Sequence, residues 1–393
     1  MKPTKQIAVL IETSRAYGRG LLRGVSRFHR EHGTWSISFK PEDRGTRLQR
    51  WLKSWRGDGI LARVGTPAMA AAVAATGLPF IDLRGASRPL GMPGFGCEND
   101  EICRLAFEHL SGRGLRHFAF VGEPVGFHIY DDHRSDSFAK IVRRSGGVCH
   151  VFQHPRPARG AITWQREQRQ LAAWIERLPK PVGILAVHDD RGLQVLEACR
   201  ALDVAVPDQV AVIGIDNDEF LCKLAIPSLS SIDPNAERIG YEAALLLDRM
   251  VDGRARFTRP RYFPPAGVVA RQSTDVLMAD DRDVAAAVRF IRQSACQRIT
   301  VKDVERQVPL SRSLLNRRFK QVIGHTPKQE IVRVQIEAAR HLLVDTDLPI
   351  AEIAALCGFS EAKYFIAVFA RLVGNTPRAF RIQSGRANRL GQA

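Results

Sequence analysis

The 393-residue sequence predicts a two-lobed α/β domain of doubly wound parallel sheets, followed by a smaller all-α domain with two helix-turn-helix motifs. Three observations carry this expectation. Short apolar runs alternate with amphipathic helical stretches as far as about residue 275. Beyond residue 283 the hydrophobic period becomes purely helical. Within that last segment a whole pattern of breaks, caps and terminators is written twice, about fifty residues apart.

QIAVLIE (6 to 12) has the pattern of a buried strand, and Leu21, Leu22, Val25 and Phe28 then line one side of a helix from about Gly20 to Glu31. WSISF, GDGILARV, LPFIDLR, HFAFVG, VCHVF, VGILAVHD and VAVIGIDN recur as strand candidates between helical stretches. Such alternation implies parallel sheets with the ligand outside the carboxyl ends of the strands. These strands are too many for one half, and the stretch from Asn99 to Ser228 reads as complete by itself. The first lobe is therefore placed at about 1–98 and 229–277 and the second at about 99–228, with the return crossing near residue 228. RYFPPAGVVARQST closes the region as a Pro-rich strand. MADDRD (278 to 283) reads as a linker, 284–385 as the helical domain and 386–393 as a tail.

In ITVKDVERQVPLSRSLLNRRFKQVIGHTPKQEI (299 to 331), Val301, Val304 and Val308 form a narrow apolar face, Pro309 stops the helix, and Ser311 is a candidate N-cap for the next. Leu315, Phe319, Val322 and Ile323 face inward. That leaves Arg312, Ser313, Asn316, Arg317 and Lys320 outward at helical spacing. IAEIAALCGFSEAKYFIAVFARLVGNTPRAFR (350 to 381) repeats the arrangement, with Ile350, Ile353, Ala354 and Cys357 inward, Gly358 at the turn, Ser360 at the cap, and Phe365, Phe369 and Leu372 inward. KQEIVRVQIEAARHLL (328 to 343) reads as one helix holding the two units at a fixed separation. Two short helices joined by a tight turn, the second exposing guanidinium, amide and hydroxyl groups, suit a major groove. A solvated basic helix is the plainer reading, and the repetition weighs against it.

The formal net charge is +17, and 18 Lys and Arg against 9 Asp and Glu lie from Asp283 onward, making that part about three times denser in positive charge than the rest. A polyanion is the partner such a field favours. The seven cysteines are scattered with no Cys-x-x-Cys, so buried reduced thiols are expected rather than disulfides or zinc. The first apolar run is broken by Glu12 and no window holds eighteen apolar residues, so a cytoplasmic protein with no membrane partner is expected. GRGLLRG near residue 18 has Arg23 where a dinucleotide fingerprint needs its third glycine. HIYDDH (128 to 133) matches no metal spacing, and neither a nucleophile elbow nor a P-loop occurs, so no catalytic residue, metal or cofactor is expected.

The pattern I-x-x-I-A-x-x-x-G-F-S, then Y-F and F, then G-x-T-P-x-x-[FY]-R resembles the second half of the AraC-type DNA-binding domain. By that resemblance Ser313, Asn316 and Arg317 align with base-reading positions of the first recognition helix, and Glu361, Lys363 and Ala367 with those of the second. One departure stands out: Ile366, Ala367 and Ala370 occupy positions where many relatives are polar or basic, so the first unit is expected to carry most of the specificity.

VPDQVAVIGIDNDEF (206 to 220), PSLSSI and RIGYEAALLL resemble the effector domain of LacI/GalR repressors and periplasmic sugar-binding proteins over roughly residues 6 to 274. Such a domain placed ahead of an AraC-type domain is the order of the xylose operon regulator family. The resemblance implies a periplasmic-binding-protein-like fold, a monosaccharide effector such as xylose, a homodimer, promoter DNA as partner, and activation rather than repression of a pentose utilisation operon, with RNA polymerase as a further partner of an activator. Sugar hydroxyls donate and accept at once, so carboxylates, amides and arginine suit them. Asp216 and Arg134 are the leading contacts. His188, Asp189, Glu98 and Asn99 follow by alignment, and Thr13, Arg15 and Tyr17 line the other lobe. Asp189 and Asp216 could instead cap helices, and Arg134 could hold a structural ion pair. The rival readings are a sugar-handling enzyme with a basic nucleic-acid-binding tail and a transport component.

Overall fold

The computed structural model describes residues 4–33, 35–41, 46–84, 94–126, 129–154, 164–256, 259–276, 281–346 and 348–382. The expected tail and the start of the expected linker lie outside them. The chain divides into two compact units, Met1–Val276 and Leu277–Ala393.

In the first unit, β1 (Lys5–Leu10), β2 (Trp35–Lys40), β3 (Gly59–Ala62) and β4 (Phe80–Asp82) form a parallel sheet in the order β2-β1-β3-β4, with α1 (Ala16–His32), α2 (Thr46–Ser54) and α3 (Pro67–Ala74) in the connections. β5 (Phe95–Cys97) follows, and then the second lobe: α4 (Asn99–Ser111), β6 (His117–Val121), α5 (Ile129–Arg144), β7 (Cys149–Val151), α6 (Trp164–Arg177), β8 (Val182–Ala186), α7 (Asp189–Ala201), β9 (Val210–Ile215), α8 (Glu219–Leu224) and β10 (Ser230–Asp233). After α9 (Ala236–Val251), β11 (Arg261–Phe263) pairs with β5, and β12 (Gly267–Val269) joins the second sheet, whose order is β12-β10-β9-β8-β6-β7.

The return crossing is later than the sequence reading placed it. β10 hydrogen-bonds to β9 in parallel register, Ser230 opposite Ile213, so SSID extends the second sheet and the chain leaves that lobe only after Asp233. RYFPPAGVV is not one strand either. Pro264 and Pro265 lack an N–H and break it, so RYF serves one lobe and GVV forms an antiparallel edge on the other. The chain therefore passes between the lobes three times.

The glycines of GRGLLRG have a packing purpose. α1 lies on α9 so closely that a Cβ on Gly24 would sit 2.0 Å from the Glu237 carbonyl oxygen, and one on Gly240 would sit 2.1 Å from that of Leu21. Only bare backbone permits this crossing.

The second unit contains α10 (Arg282–Ser294), α11 (Val301–Glu305), α12 (Arg312–Ile323), α13 (Pro327–Asp345), α14 (Ile350–Leu356) and α15 (Ala362–Val373). Its apolar residues form two clusters. Val284, Val288, Ile291, Val304, Leu315, Phe319 and Ile331 make the first; Ile336, Leu343, Ile353, Cys357, Phe365, Val368 and Phe369 make the second. α13 contributes to both, and its 19 residues span about 28 Å at the standard helical rise. Caps fix the boundaries: Ser311 Oγ accepts from the Leu314 N–H, Thr326 and Gln329 form a capping box, and Gly324 and Gly374 end α12 and α15 in the left-handed conformation. The cap of α15 is displaced by one residue from the expected Ser360, for Glu361 occupies the N-cap without a side-chain bond. Val322 and Leu372, expected inside, are exposed, and in each last turn it is the next residue, Ile323 or Val373, that packs against the cluster. All seven cysteines are free thiols.

Candidate functional site

The cleft between the two lobes holds a cavity lined by Arg15, Tyr17, Arg63, Arg84, Cys97, Asn99, Tyr130, Arg134, His188 and Asp216, with about 490 Å³ of empty space including its mouth. Nearly all of these residues end a strand or follow it closely. Arg15 and Tyr17 come after β1, Arg63 after β3, Arg84 after β4, His188 after β8 and Asp216 after β9, while Cys97 closes β5. The carboxyl ends of parallel strands are where side chains from separate segments converge.

Arg134 is buried in the first turns of α5 and each guanidinium nitrogen makes one contact: Nε donates to Asn99 Oδ1 at 2.8 Å, Nη1 to the Val187 carbonyl at 2.8 Å, and Nη2 approaches Cys97 Sγ at 3.7 Å, so two of its five N–H groups remain for a ligand. Its plane lies 5.3 Å from the Tyr130 ring centre. Arg63 is buried against Glu12, 5.1 Å from the centre of the Tyr17 ring, and burial followed by the neighbouring Arg84 lowers its guanidinium to about 10.

Asp216 and Asn217 have φ of 105° and 47°, a left-handed backbone that costs non-glycine residues about 1–3 kcal/mol each. Neighbours hold the turn in place. The Asp216 N–H donates to the Ile232 carbonyl at 3.0 Å, the Asn217 N–H to Ser231 Oγ at 3.0 Å, and Arg271 Nη2 to Asn217 Oδ1 at 2.7 Å. Burial raises the Asp216 carboxyl, and Arg134, His188, Arg15 and Arg63 oppose that shift.

His188 caps α7. Its Nδ1 accepts from the Arg191 N–H at 3.3 Å, so Nε2 carries the proton and donates to Glu123 Oε1 at 2.8 Å. Burial alone would raise Glu123, but hydrogen bonds from His188 and Arg191 bring it down to about 2. Arg15 reaches across the cleft to Glu123 at 3.6 Å and Asp190 at 3.3 Å, and Arg19 pairs with Asp218.

The cavity thus brings together Asp216, Arg134, His188, Asn99, Arg15 and Tyr17 from the expected set. Three others stand elsewhere. Asp189 is buried beside the strands, where Oδ1 accepts from Ser231 Oγ at 2.6 Å and Oδ2 from the Asp218 N–H at 2.6 Å, so it braces the Asp216 turn instead of lining the cavity. Glu98 is an exposed N-cap of α4, and Thr13 is exposed with its carbonyl taken by Arg19 Nη1 at 2.8 Å. Conversely, Arg63, Arg84, Cys97 and Tyr130 were missed. For the first three, the strand-end position was the signal available in the sequence. Among the described residues no cluster of His, Cys, Asp and Glu is arranged to hold a metal ion.

On the second unit, Arg312, Ser313, Arg317 and Lys320 are exposed on α12 and Asn316 is half-buried beside them. Arg318 points the other way and binds Asp281 and Asp283, tying α12 to the start of α10. On α15 and its cap, Glu361, Lys363 and Ala367 are exposed, together with Tyr364 and Ile366.

Comparisons with known proteins match both halves. Residues 6–89 match the XylR N-terminal domain, 107–274 a periplasmic binding protein-like domain, and 305–383 a helix-turn-helix domain. The xylose operon regulatory protein of Escherichia coli strain K12 is 33% identical over 383 residues, 96% of each chain. The chain belongs to the xylose operon regulator family. The Haemophilus influenzae regulator of the same name is 32% identical over 96% of this chain and 98% of its own. A solved structure described as the xylose-binding transcription activator xylR superposes with a TM-score of 0.80 at 32% identity, covering 97% of this chain and 98% of the other. The transcriptional regulator CelR in complex with cellobiose, at 21% identity and a TM-score of 0.57, shares the effector-domain fold over 69% of this chain and 85% of its own. As a xylose operon regulator relative, the protein is a sugar-responsive, DNA-binding transcription factor rather than an enzyme. Among the described residues no helix is long and apolar enough to cross a membrane.

Proposed function

We propose that the cavity binds a monosaccharide, xylose or a related pentose, and that its occupation changes how the C-terminal unit engages promoter DNA. One observation carries the reading. Asp216, Asn99, Arg15, Arg134 and His188, from strand ends and helix starts of the two lobes, line one cavity together with Tyr17 and Tyr130. The carboxylate and amide accept from hydroxyls, the guanidiniums donate to hydroxyl and ring oxygens, and the tyrosines cover the apolar face of a sugar ring. The names of the relatives support a pentose and support activation, with RNA polymerase as a further partner.

The Arg15 and Arg19 ion pairs across the cleft are contacts that an open cleft lacks. A sugar favouring the closed form by its own differential binding would therefore shift the equilibrium. Arg312, Ser313, Asn316, Arg317 and Lys320 of the first unit, with Glu361, Lys363 and Ala367 of the second, face the grooves. The exposed Phe220, Leu224 and Ile226 around α8 support a homodimer through the effector domains. DNA as partner supports a cytoplasmic location.

The test is a thermal-shift screen of pentoses and hexoses. A sugar at 100 times its dissociation constant stabilises its domain by about 2.7 kcal/mol, and Asp216→Ala should erase the shift. If no pentose or hexose moves the transition, the sugar reading fails. Sedimentation of Phe220→Asp tests the dimer, since monomers are the expected product.

A further inference from the structure

The two recognition helices share one backbone design and present opposite chemistry. α12 and α15 each have 12 residues, each buries a phenylalanine at the same position (Phe319 and Phe369), and each stops on a glycine, with φ of 83° at Gly324 and 84° at Gly374. Their positions therefore correspond at a constant offset in the sequence. Where α12 exposes Arg312, Ser313, Arg317 and Lys320 with Asn316 beside them, α15 has Ala362, Lys363, Ala367, Ala370 and Ile366. Ile366, at the position of Asn316 on the basic face of α12, is 39% exposed.

Base edges in a major groove offer hydrogen-bond donors and acceptors and one apolar group, the 5-methyl of thymine. Apart from Glu361 and Lys363 at its start, the groove-facing positions of α15 are isoleucine and alanine, which have nothing to give a guanine or a cytosine edge. They do have surface that gains by covering a methyl. The small Ala367 and Ala370 also let the backbone come close to the groove floor, while the exposed Lys363 and Arg371 supply charge for the phosphates on either side.

We propose that α15 reads thymine methyl groups, with Ile366 and Ala367 as the reading residues, so that the half-site under the second unit is specified by its thymines and the half-site under the first by hydrogen bonding. This rests on the reading of both units as major-groove binders. The same apolar face could instead receive a protein such as a polymerase subunit. The correspondence with the basic α12 face favours DNA.

The experiment uses the full-length protein and its own promoter region, in duplexes where single thymines are replaced by deoxyuridine, which removes the methyl and nothing else. Loss of one well-covered methyl should weaken binding about fourfold, at a cluster of positions confined to one half-site. In Ile366→Ala the penalty at those same positions should vanish, while penalties for guanine changes in the other half-site remain. If deoxyuridine costs nothing anywhere while specific binding persists, the proposal is overturned and the groove reading survives. If Ile366→Ala binds the promoter normally, methyl sensitivity included, but no longer activates transcription, the face belongs to a protein and the proposal is likewise overturned. Absence of any preference for the promoter over random duplex would strike the groove reading itself, and the proposal with it.

Discussion

The first and second helix-turn-helix units differ in what they expose far more than in what they bury. Inside, Val304 is matched by Ala354, Leu315 by Phe365 and Phe319 by Phe369, all buried. Outside, Asn316 and Arg317 are matched by Ile366 and Ala367. Even the supports differ: Arg318 fastens α12 to Asp281 by an ion pair, whereas its counterpart Val368 is buried in an apolar cluster with Phe365 and Phe369. Packing tolerates little change at positions that fill a small core, so the repeat stays visible there. Outward positions answer only to the ligand, and they have diverged.

The comparison breaks most sharply if the cores are emptied one at a time. Phe319→Ala and Phe369→Ala should each cost about 3–5 kcal/mol, and because the clusters are separate, each should remove protection of its own half-site in a footprint first. Equal loss of both half-sites in both variants would mean that the units do not act separately. Next in size, Arg317→Ala should weaken specific DNA binding by about 1–3 kcal/mol, the worth of one bidentate base contact, with sugar affinity unchanged in a direct titration. Equal losses in both would contradict the division of labour between the domains.

The same inside-outside distinction explains what could be read from the sequence. The strand runs, the helical periods and the doubled segment were legible because burial imposes a period on them. Val322 and Leu372 misled for one shared reason: they keep the apolar period, but the next residue, Ile323 or Val373, takes the place against the core. Asp216 and Arg134 could be placed by pattern, yet Arg63, Arg84 and Tyr130 could not, since a cavity wall assembled from separate strand ends has no period along the chain. Asp189 was misassigned because a carboxylate that accepts from backbone looks, in sequence, like one that accepts from a ligand. SSID and GVV gave no sign of which lobe they join, because pairing depends on the partner strand and not on the strand alone.

Two buried acids, one in each domain, extend the comparison to pH. Glu330 is held by His325 at 2.8 Å and Arg333 at 2.7 Å; burial acts to raise its carboxyl, but these partners leave it lowered. Asp131 is buried with both oxygens lacking a hydrogen bond, and burial raises it to about 7 despite Arg134. The signs are opposite. A raised carboxyl contributes stability that is full below its unfolded pKa and is lost as pH rises through about 7; a lowered one contributes above the unfolded value and is lost as pH falls. The effector domain should therefore lose up to about 1.4 kcal/mol per pH unit between roughly pH 4 and 7 on account of Asp131, and Asp131→Asn should flatten that part of the melting profile. Glu330→Gln should destabilise the DNA-binding unit at neutral pH and leave it less sensitive to acid. A melting profile unchanged by Asp131→Asn would mean that the carboxyl finds a partner in solution.

The smallest effect separates backbone strain from crowding. Gly324 and Gly358 both belong to the DNA-binding unit and have nearly the same backbone, with φ of 83° and 85°. A Cβ on Gly324 meets nothing within 4 Å, whereas one on Gly358 would lie 3.0 Å from the carbonyl oxygens of both Ala295 and Cys296 and 2.9 Å from Gln335 Nε2. The shared φ makes alanine cost about 1 kcal/mol at either position. Only at Gly358 must neighbours also move, and two of the three are backbone atoms, one of them the carbonyl that Gln335 Nε2 holds at 2.9 Å. Urea unfolding should accordingly show Gly358→Ala less stable than Gly324→Ala by about a further 1 kcal/mol. Because Ala295 packs with the first cluster and Gly358 follows Cys357 of the second, that extra cost measures how firmly one unit is seated against the other. Identical losses in the two variants would mean that the seam gives way freely, and that α13 alone sets their spacing.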